Sequence, residues 1–272
     1  MSARRIPGQA TKDFTEVFAR LTRRDEAIIN ALARHHVLTT TMLTELFFPS
    51  GWSARSRIVT LYEMGVLARF QDHKRDEYHY TLGYWGAAIH ALRNQQPVPT
   101  PKAVNTAIQR LTVSRKRPHL EGVNAFFSRL TAGVRNHGDG LRVKSWLSEA
   151  EAAVLFLDKV RPDGAAELVN QDRQELRFFF EHDTGTETLE VLIGKLDRYA
   201  AKPPSEGHRT VLLQLTRRGR EENLHKRLVQ QRFPFPVATT NAVTGVLGTV
   251  WRVHGRIGKF HLTELMGRRR RR

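Results

Sequence analysis

Asp163, Glu181, Asp183 and Lys195 are the residues of this chain whose types and spacing could do chemistry. Asp163 follows Arg161-Pro162 at the head of a candidate strand. Glu181 and Asp183 close a hydrophobic run through Phe178-Phe179-Phe180, and Lys195 lies on the helical stretch that follows. Strand side chains alternate faces, so Glu181 and Asp183 share one side. If the Asp163 strand pairs with the Phe178–Asp183 strand, three acids converge. Such a spot repels itself unless a hard cation fills it, and oxygen donors suit Mg²⁺ or Mn²⁺. On its helix Lys195 falls beside the stripe Leu189, Leu192, Ile193 and Leu196, from where its ammonium could steady a phosphate or polarise a water. Each residue also has a plainer reading. Asp163 could cap a Pro-Asp-Gly turn, Glu181 could be salt-bridged, and Lys195 could be an exposed helical lysine. Tyr199 reads as a core-edge aromatic and Glu187 as a helix cap.

The elements needed to hold these side chains are legible around them. Capping signals and apolar periodicity predict helices over 22–35, from Thr39 or Thr40 to Phe47, and over 53–64 with Ser53 as N-cap and Gly65 at the close. Extended runs 66–71 and 77–82 flank the polar turn Asp72-His73-Lys74-Arg75-Asp76. Three helices and a hairpin are the winged helix-turn-helix pattern. Arg55, Ser56, Arg57 and Thr60 on the third helix, with Lys74 and Arg75 on the wing, are then the expected DNA contacts. Further along, the pattern predicts a helix over 103–112, a long helix over 119–136, strands at 141–146, from Asp163, 176–183 and 210–215, and helices at 148–156, 217–230 and 184–200. Thr184 and Glu187 are the expected capping box of the last of these. Short strands at 237–240 and 249–253 complete an α/β class, α+β overall, with a mixed sheet flanked by helices. The expected domains are a basic arm (1–20), a winged helix (21–95), a Pro-rich basic linker (96–118), a catalytic-type domain (119–258) and an Arg-rich tail (259–272).

Composition narrows the partners. The chain has 272 residues, a formal net charge of +17 and no cysteine. Disulfides, thiolate nucleophiles and Cys-based zinc sites are therefore excluded, and no HExxH-type spacing occurs among the histidines. The cationic excess points to a polyanion, DNA above all, because neutralising phosphates releases counterions. The run Arg268–Arg272 reads as a disordered basic tail. No apolar run is long enough to span a membrane and no secretion signal is present, so cytoplasm is the expected compartment.

With these pieces in place, the C-terminal half resembles the PD-(D/E)xK, or restriction-endonuclease-like, superfamily. Asp163, preceded by Pro162, matches the first acid and Glu181 the second. Asp183 stands where the pattern has lysine, and Lys195 is the candidate replacement. The chain from about 20 to 255 also resembles the replication-relaxation family of plasmids and integrative elements of high-GC bacteria. The matching features are the winged-helix half, His119–Asn124, Trp146 with Glu149, Arg161-Pro162-Asp163, the run from Glu181 to Glu187, and Lys195 with Tyr199. The resemblance implies mobile-element replication, relaxation or transfer. It points to a divalent-metal-dependent nicking or cleaving endonuclease or, alternatively, to a non-catalytic accessory factor or regulator with a degenerate nuclease fold. Cutting both strands would call for a homodimer, and replication or transfer proteins would be further partners. No His-hydrophobic-His motif supports a covalent tyrosine relaxase.

Overall fold

The structure, a computed structural model, describes residues 14–138, 140–202 and 209–268. The chain divides into two compact units, 1–124 and 125–272. The expected tail at 269–272 and most of the expected basic arm, 1–13, lie outside the described residues.

In the first unit α1 (Phe14–Ala19) leads to α2 (Arg23–His35). Thr22 caps α2 through the expected box with Asp25, and Ile28, Ile29 and Leu32 form its buried face. A short strand that the sequence did not announce, β1 (Leu38–Thr39), precedes α3 (Thr40–Phe47). Helix α4 spans Gly51–Glu63. Its N-cap is Ser50 rather than the expected Ser53: the Ser50 hydroxyl accepts from the Ser53 N–H at 3.4 Å, so helix geometry starts one turn earlier. Gly65, at φ +72, makes the left-handed exit that a Cβ would oppose. Strands β2 (Leu67–Phe70) and β3 (His79–Leu82) pair antiparallel, and β1 joins β3 to give the order β1-β3-β2. Then come α5 (Tyr84–Arg93) and α6 (Pro101–Thr112). The helix expected over 103–112 within the linker is thus present and begins two residues earlier. Thr100 caps it and Pro101 sits at its first turn, where a missing N–H costs nothing. The long helix α7 (Arg117–His137) contains the division between the units.

The second unit is a sheet with helices on both faces. Its elements are β4 (Arg142–Ser148), α8 (Glu149–Val154), β5 (Gly164–Val169), β6 (Gln174–Asp183), α9 (Leu189–Ala201), β7 (Thr210–Leu215), α10 (Arg218–Leu228), β8 (Val237–Thr240), β9 (Arg252–Val253) and β10 (Gly267–Arg268). Strand order is β4-β5-β6-β7-β8-β9, with β10 against the start of β6. Arg268, expected in the tail, therefore pairs with Gln174. The β4-β5-β6 meander is antiparallel, and the β6-β7 and β7-β8 steps are parallel across α9 and α10. Every residue of β7 is buried, the mark of a central strand covered on both faces.

Alternation along β6 sorts the core. Phe178 and Phe180 face Phe126 and Phe127 of α7. Phe179 faces the opposite layer with Leu192, Leu196, Tyr199 and Leu224. Gly164 is required by close approach, since a Cβ there would lie 2.7 Å from the Phe127 ring. This glycine opens β5 under an aromatic ring, so Pro162-Asp163-Gly164 is more than a turn signal.

Candidate functional site

Asp163, Glu181 and Lys195 come together on the α9 face of the sheet. Gly164 pairs with Phe180, which puts Asp163 at the β5 head beside Glu181. The Asp163 carboxylate is oriented by the His182 N–H, which donates to Oδ2 at 2.8 Å. Lys195, one turn before Tyr199 on α9, donates its Nζ to Glu181 Oε2 and lies 3.8 Å from Asp163 Oδ1. Tyr199 Oη donates to Glu181 Oε1 at 2.5 Å. Tyr199, expected as a core-edge aromatic, is fully within the core and also holds the central carboxylate. Glu181 itself is only 3% exposed. Leucines at 189, 192 and 196 bury one stripe of α9, which turns Lys195 and Tyr199 toward the ends of β5 and β6.

Two acids share one ammonium in this pocket. Burial, and then the Asp163 charge, push the Glu181 carboxyl up to about 8, against the opposing pull of Lys195 and Tyr199. Burial alone would lower the Lys195 ammonium, but Glu181 and Asp163 outweigh it and raise its pKa. Burial, then Glu181, raise the Tyr199 phenol well above its ordinary value, so Tyr199 remains a hydrogen-bond donor. Perturbed groups of this kind, desolvated and provided with specific charge partners, are concentrated at functional sites.

The expected convergence of three acids is not met. Asp183 does lie on the same face as Glu181, but Arg220 of α10 takes both of its oxygens, Nε donating to Oδ2 and Nη2 to Oδ1, the latter at 2.9 Å. The same guanidinium donates to the Glu187 carbonyl at 2.6 Å. Nor do Thr184 and Glu187 form the expected capping box, because the N-cap of α9 is Thr188. Among the described residues no group of three or more His, Cys, Asp or Glu could hold a metal ion. The donors that could contribute to one are Asp163 and Glu181. Mg²⁺ takes one or two protein carboxylates together with substrate phosphates, so a two-acid set is chemically adequate. Glu149 is engaged elsewhere, accepting from Arg161 Nε at 3.1 Å, and His119 falls in the first unit.

Of the expected DNA contacts, Arg55 and Ser56 are exposed on α4, and Lys74 and Arg75 are exposed at the β2–β3 turn. Thr60 is half-buried and its hydroxyl donates to the Ser56 carbonyl at 3.1 Å. Arg57 differs from expectation. Its Nε donates to Asp25 Oδ1 at 2.9 Å and its Nη2 to the Arg20 carbonyl at 2.9 Å, so it ties α4 to the start of α2. Two further residues were missed in the sequence. Arg220 carried no signal, since its partner lies 37 positions away. Trp52 did carry one: a tryptophan between Gly51 and Ser53, in the first turn of the candidate reading helix, is 84% exposed.

No helix among the described residues is long and apolar enough to cross a membrane. Comparison with curated proteins and with solved structures returns no match. The family model described as replication-relaxation matches residues 29–203. That span covers more than half of the chain, including α4, the β2–β3 turn, Asp163, Glu181 and Lys195, and its description suggests a role in the replication or relaxation of mobile-element DNA. The chain belongs to the replication-relaxation family.

Proposed function

We propose that this protein is a DNA-binding factor of mobile-element replication, relaxation or transfer whose second unit nicks or cleaves the DNA backbone with Mg²⁺ or Mn²⁺. One observation carries the reading: a half-buried carboxylate at the head of β5, a buried one near the end of β6 and a half-buried lysine from the next helix meet at a single point. Asp, Glu and Lys are the side chains of the PD-(D/E)xK pattern, here with the lysine supplied by α9. The first unit supports a winged helix that chooses the DNA. Its elements run α2-β1-α3-α4-β2-β3, and cations are exposed on α4 and at the hairpin turn.

In this mechanism Asp163 and Glu181 would hold the metal, whose chemistry is to acidify a water and neutralise charge on the leaving oxygen. Tyr199 keeps Glu181 in one orientation through Oε1, and the His182 N–H does the same for Asp163. Lys195 offers its ammonium to the charge that grows on the phosphate. Arg220, by closing Asp183, confines the negative charge of the site to the other two acids.

A second reading, a non-catalytic accessory factor or regulator, is favoured by the same compactness, since both Glu181 oxygens already have donors. Supercoiled plasmid incubated with Mg²⁺ or Mn²⁺ separates the two. In the nuclease reading wild type nicks, and Asp163→Ala, Glu181→Gln and Lys195→Met each slow nicking by about a hundredfold or more. Binding without nicking under either metal establishes the accessory role. Nicking that persists in all three variants refutes the assignment of the site.

A further inference from the structure

The outward side of α4 carries a stripe that a duplex-reading helix does not need. Trp52, Arg55, Ser56, Val59 and Tyr62 stand three or four positions apart and so lie along one side of the helix. Trp52 is 84% exposed, and Arg55 and Ser56 are exposed behind it. The stripe continues onto the hairpin, where the Arg69 guanidinium lies 4.1 Å from the ring centroids of both Tyr62 and Tyr78. Lys74 and Arg75 follow at the exposed turn.

The first turn of α4 contains no acid. The hairpin's acids are engaged within the unit: Asp72 with Arg117 at 2.6 Å, Asp76 with the His73 N–H at 3.1 Å, and Glu77 with the Thr41 N–H at 3.0 Å. Asp72 is paired with a cation, Asp76 and Glu77 are turned to backbone N–H groups, and Lys74 and Arg75 remain exposed at the turn. Aromatic faces interleaved with cations are what single-stranded nucleic acid recognises, bases stacking while the backbone follows the charge. A paired groove instead offers donor and acceptor edges. Indole answers these poorly, with one N–H and no acceptor.

We propose that Trp52 is a stacking platform for an unpaired base, so that this face of the first unit binds locally single-stranded DNA, with Arg55, Lys74 and Arg75 on its phosphates. The inference rests on the reading of this unit as DNA-binding. It assigns the unit a preference for opened DNA, a property suited to replication, where strands must be held apart.

The test uses the full chain and three fluorescently labelled probes of mixed sequence: a single-stranded oligonucleotide, the matching duplex, and the duplex with an unpaired bubble. Trp52→Ala should weaken binding to the single strand and the bubble by roughly tenfold and leave the duplex within about twofold. Trp52→Phe, which keeps a ring, should retain most of the affinity. The chain has four tryptophans, and the quenching lost between wild type and Trp52→Phe isolates the indole at position 52. Joint Lys74→Ala and Arg75→Ala substitution should weaken all three probes. Equal effects of Trp52→Ala on every probe, or no quenching assignable to Trp52, overturn the stacking role while leaving the unit a DNA binder. Failure of wild type to bind any probe overturns both. Because the indole is outside the core, loss of folding does not confound the alanine variant.

Discussion

The two units each bury a carboxylate against a cation, and they do it in opposite ways. In the first, Asp25 is 0% exposed. Burial would raise its carboxyl, but Arg57, the Thr22 N–H at 2.7 Å and the Thr22 hydroxyl outweigh it and hold it below the ordinary value. In the second, Glu181 has Lys195 and Tyr199, yet it shares Lys195 with Asp163; burial and that second charge push its carboxyl up to about 8. One acid is fully answered and fixes helix geometry. The other is left in competition for one cation, and competition of that kind is what a ligand can relieve. A buried ion pair is thus no guide to function until the charges around it are counted.

That contrast can be broken most sharply at Asp25. Asp25→Ala removes one half of the α2 capping box and strands Arg57, and equilibrium denaturation should show a loss of about 3 kcal/mol. Glu181→Gln should cost less, within about 1 kcal/mol at neutral pH, since it keeps an acceptor for Tyr199 and leaves Lys195 to Asp163. A loss as large as that at Asp25 would end the distinction between the two sites.

The pH dependence of the two acids should differ in sign. A carboxyl whose folded value exceeds its unfolded one binds protons more tightly when folded, so its contribution is complete below the unfolded value, near 4.5, and disappears as pH rises through about 8. Wild type should therefore lose thermal stability relative to Glu181→Gln between about pH 4.5 and pH 8, by on the order of a few degrees. Asp25, with its lowered value, contributes stability at neutral pH that is lost on acidification. Divalent-cation affinity, measured by calorimetry without DNA, should rise with pH up to about 8 and level off above it, because the metal competes with the Glu181 proton. Affinity that is flat with pH would remove Glu181 from the metal's ligands. The smallest stability effect belongs to Arg55→Ala, within about 0.5 kcal/mol. If Arg55 touches a phosphate, the slope of log affinity against log salt should fall by about one.

Most of the secondary structure was legible because it depends on local pattern. The strand 210–215 announces itself by Val211-Leu212-Leu213 with Leu215, and the α2 box by Thr22 and Asp25 at fixed spacing. The pair Asp163 and Glu181 was legible because strand alternation and a register guess suffice to place them. Local signals misled where the residue that caps lies a few positions from the expected one, Ser50 for Ser53 and Thr188 for Thr184. The helix expected over 103–112 shows the same limit at its boundary: Pro101, read as extended chain with Pro97 and Pro99, instead begins the helix.

By itself the sequence determined the cationic character, the absence of thiol chemistry, the run of helices and strands, and which residues could bear charge at a site. Partners were a different matter. Which acid meets which cation depends on helices crossing a sheet from dozens of positions away. Only the tertiary structure could give Asp183 to Arg220, Arg57 to Asp25, and Lys195 to two carboxylates at once. The physical reason is that strand alternation fixes the face a side chain takes, whereas charge neutralisation is settled by whichever distant group arrives within hydrogen-bond reach.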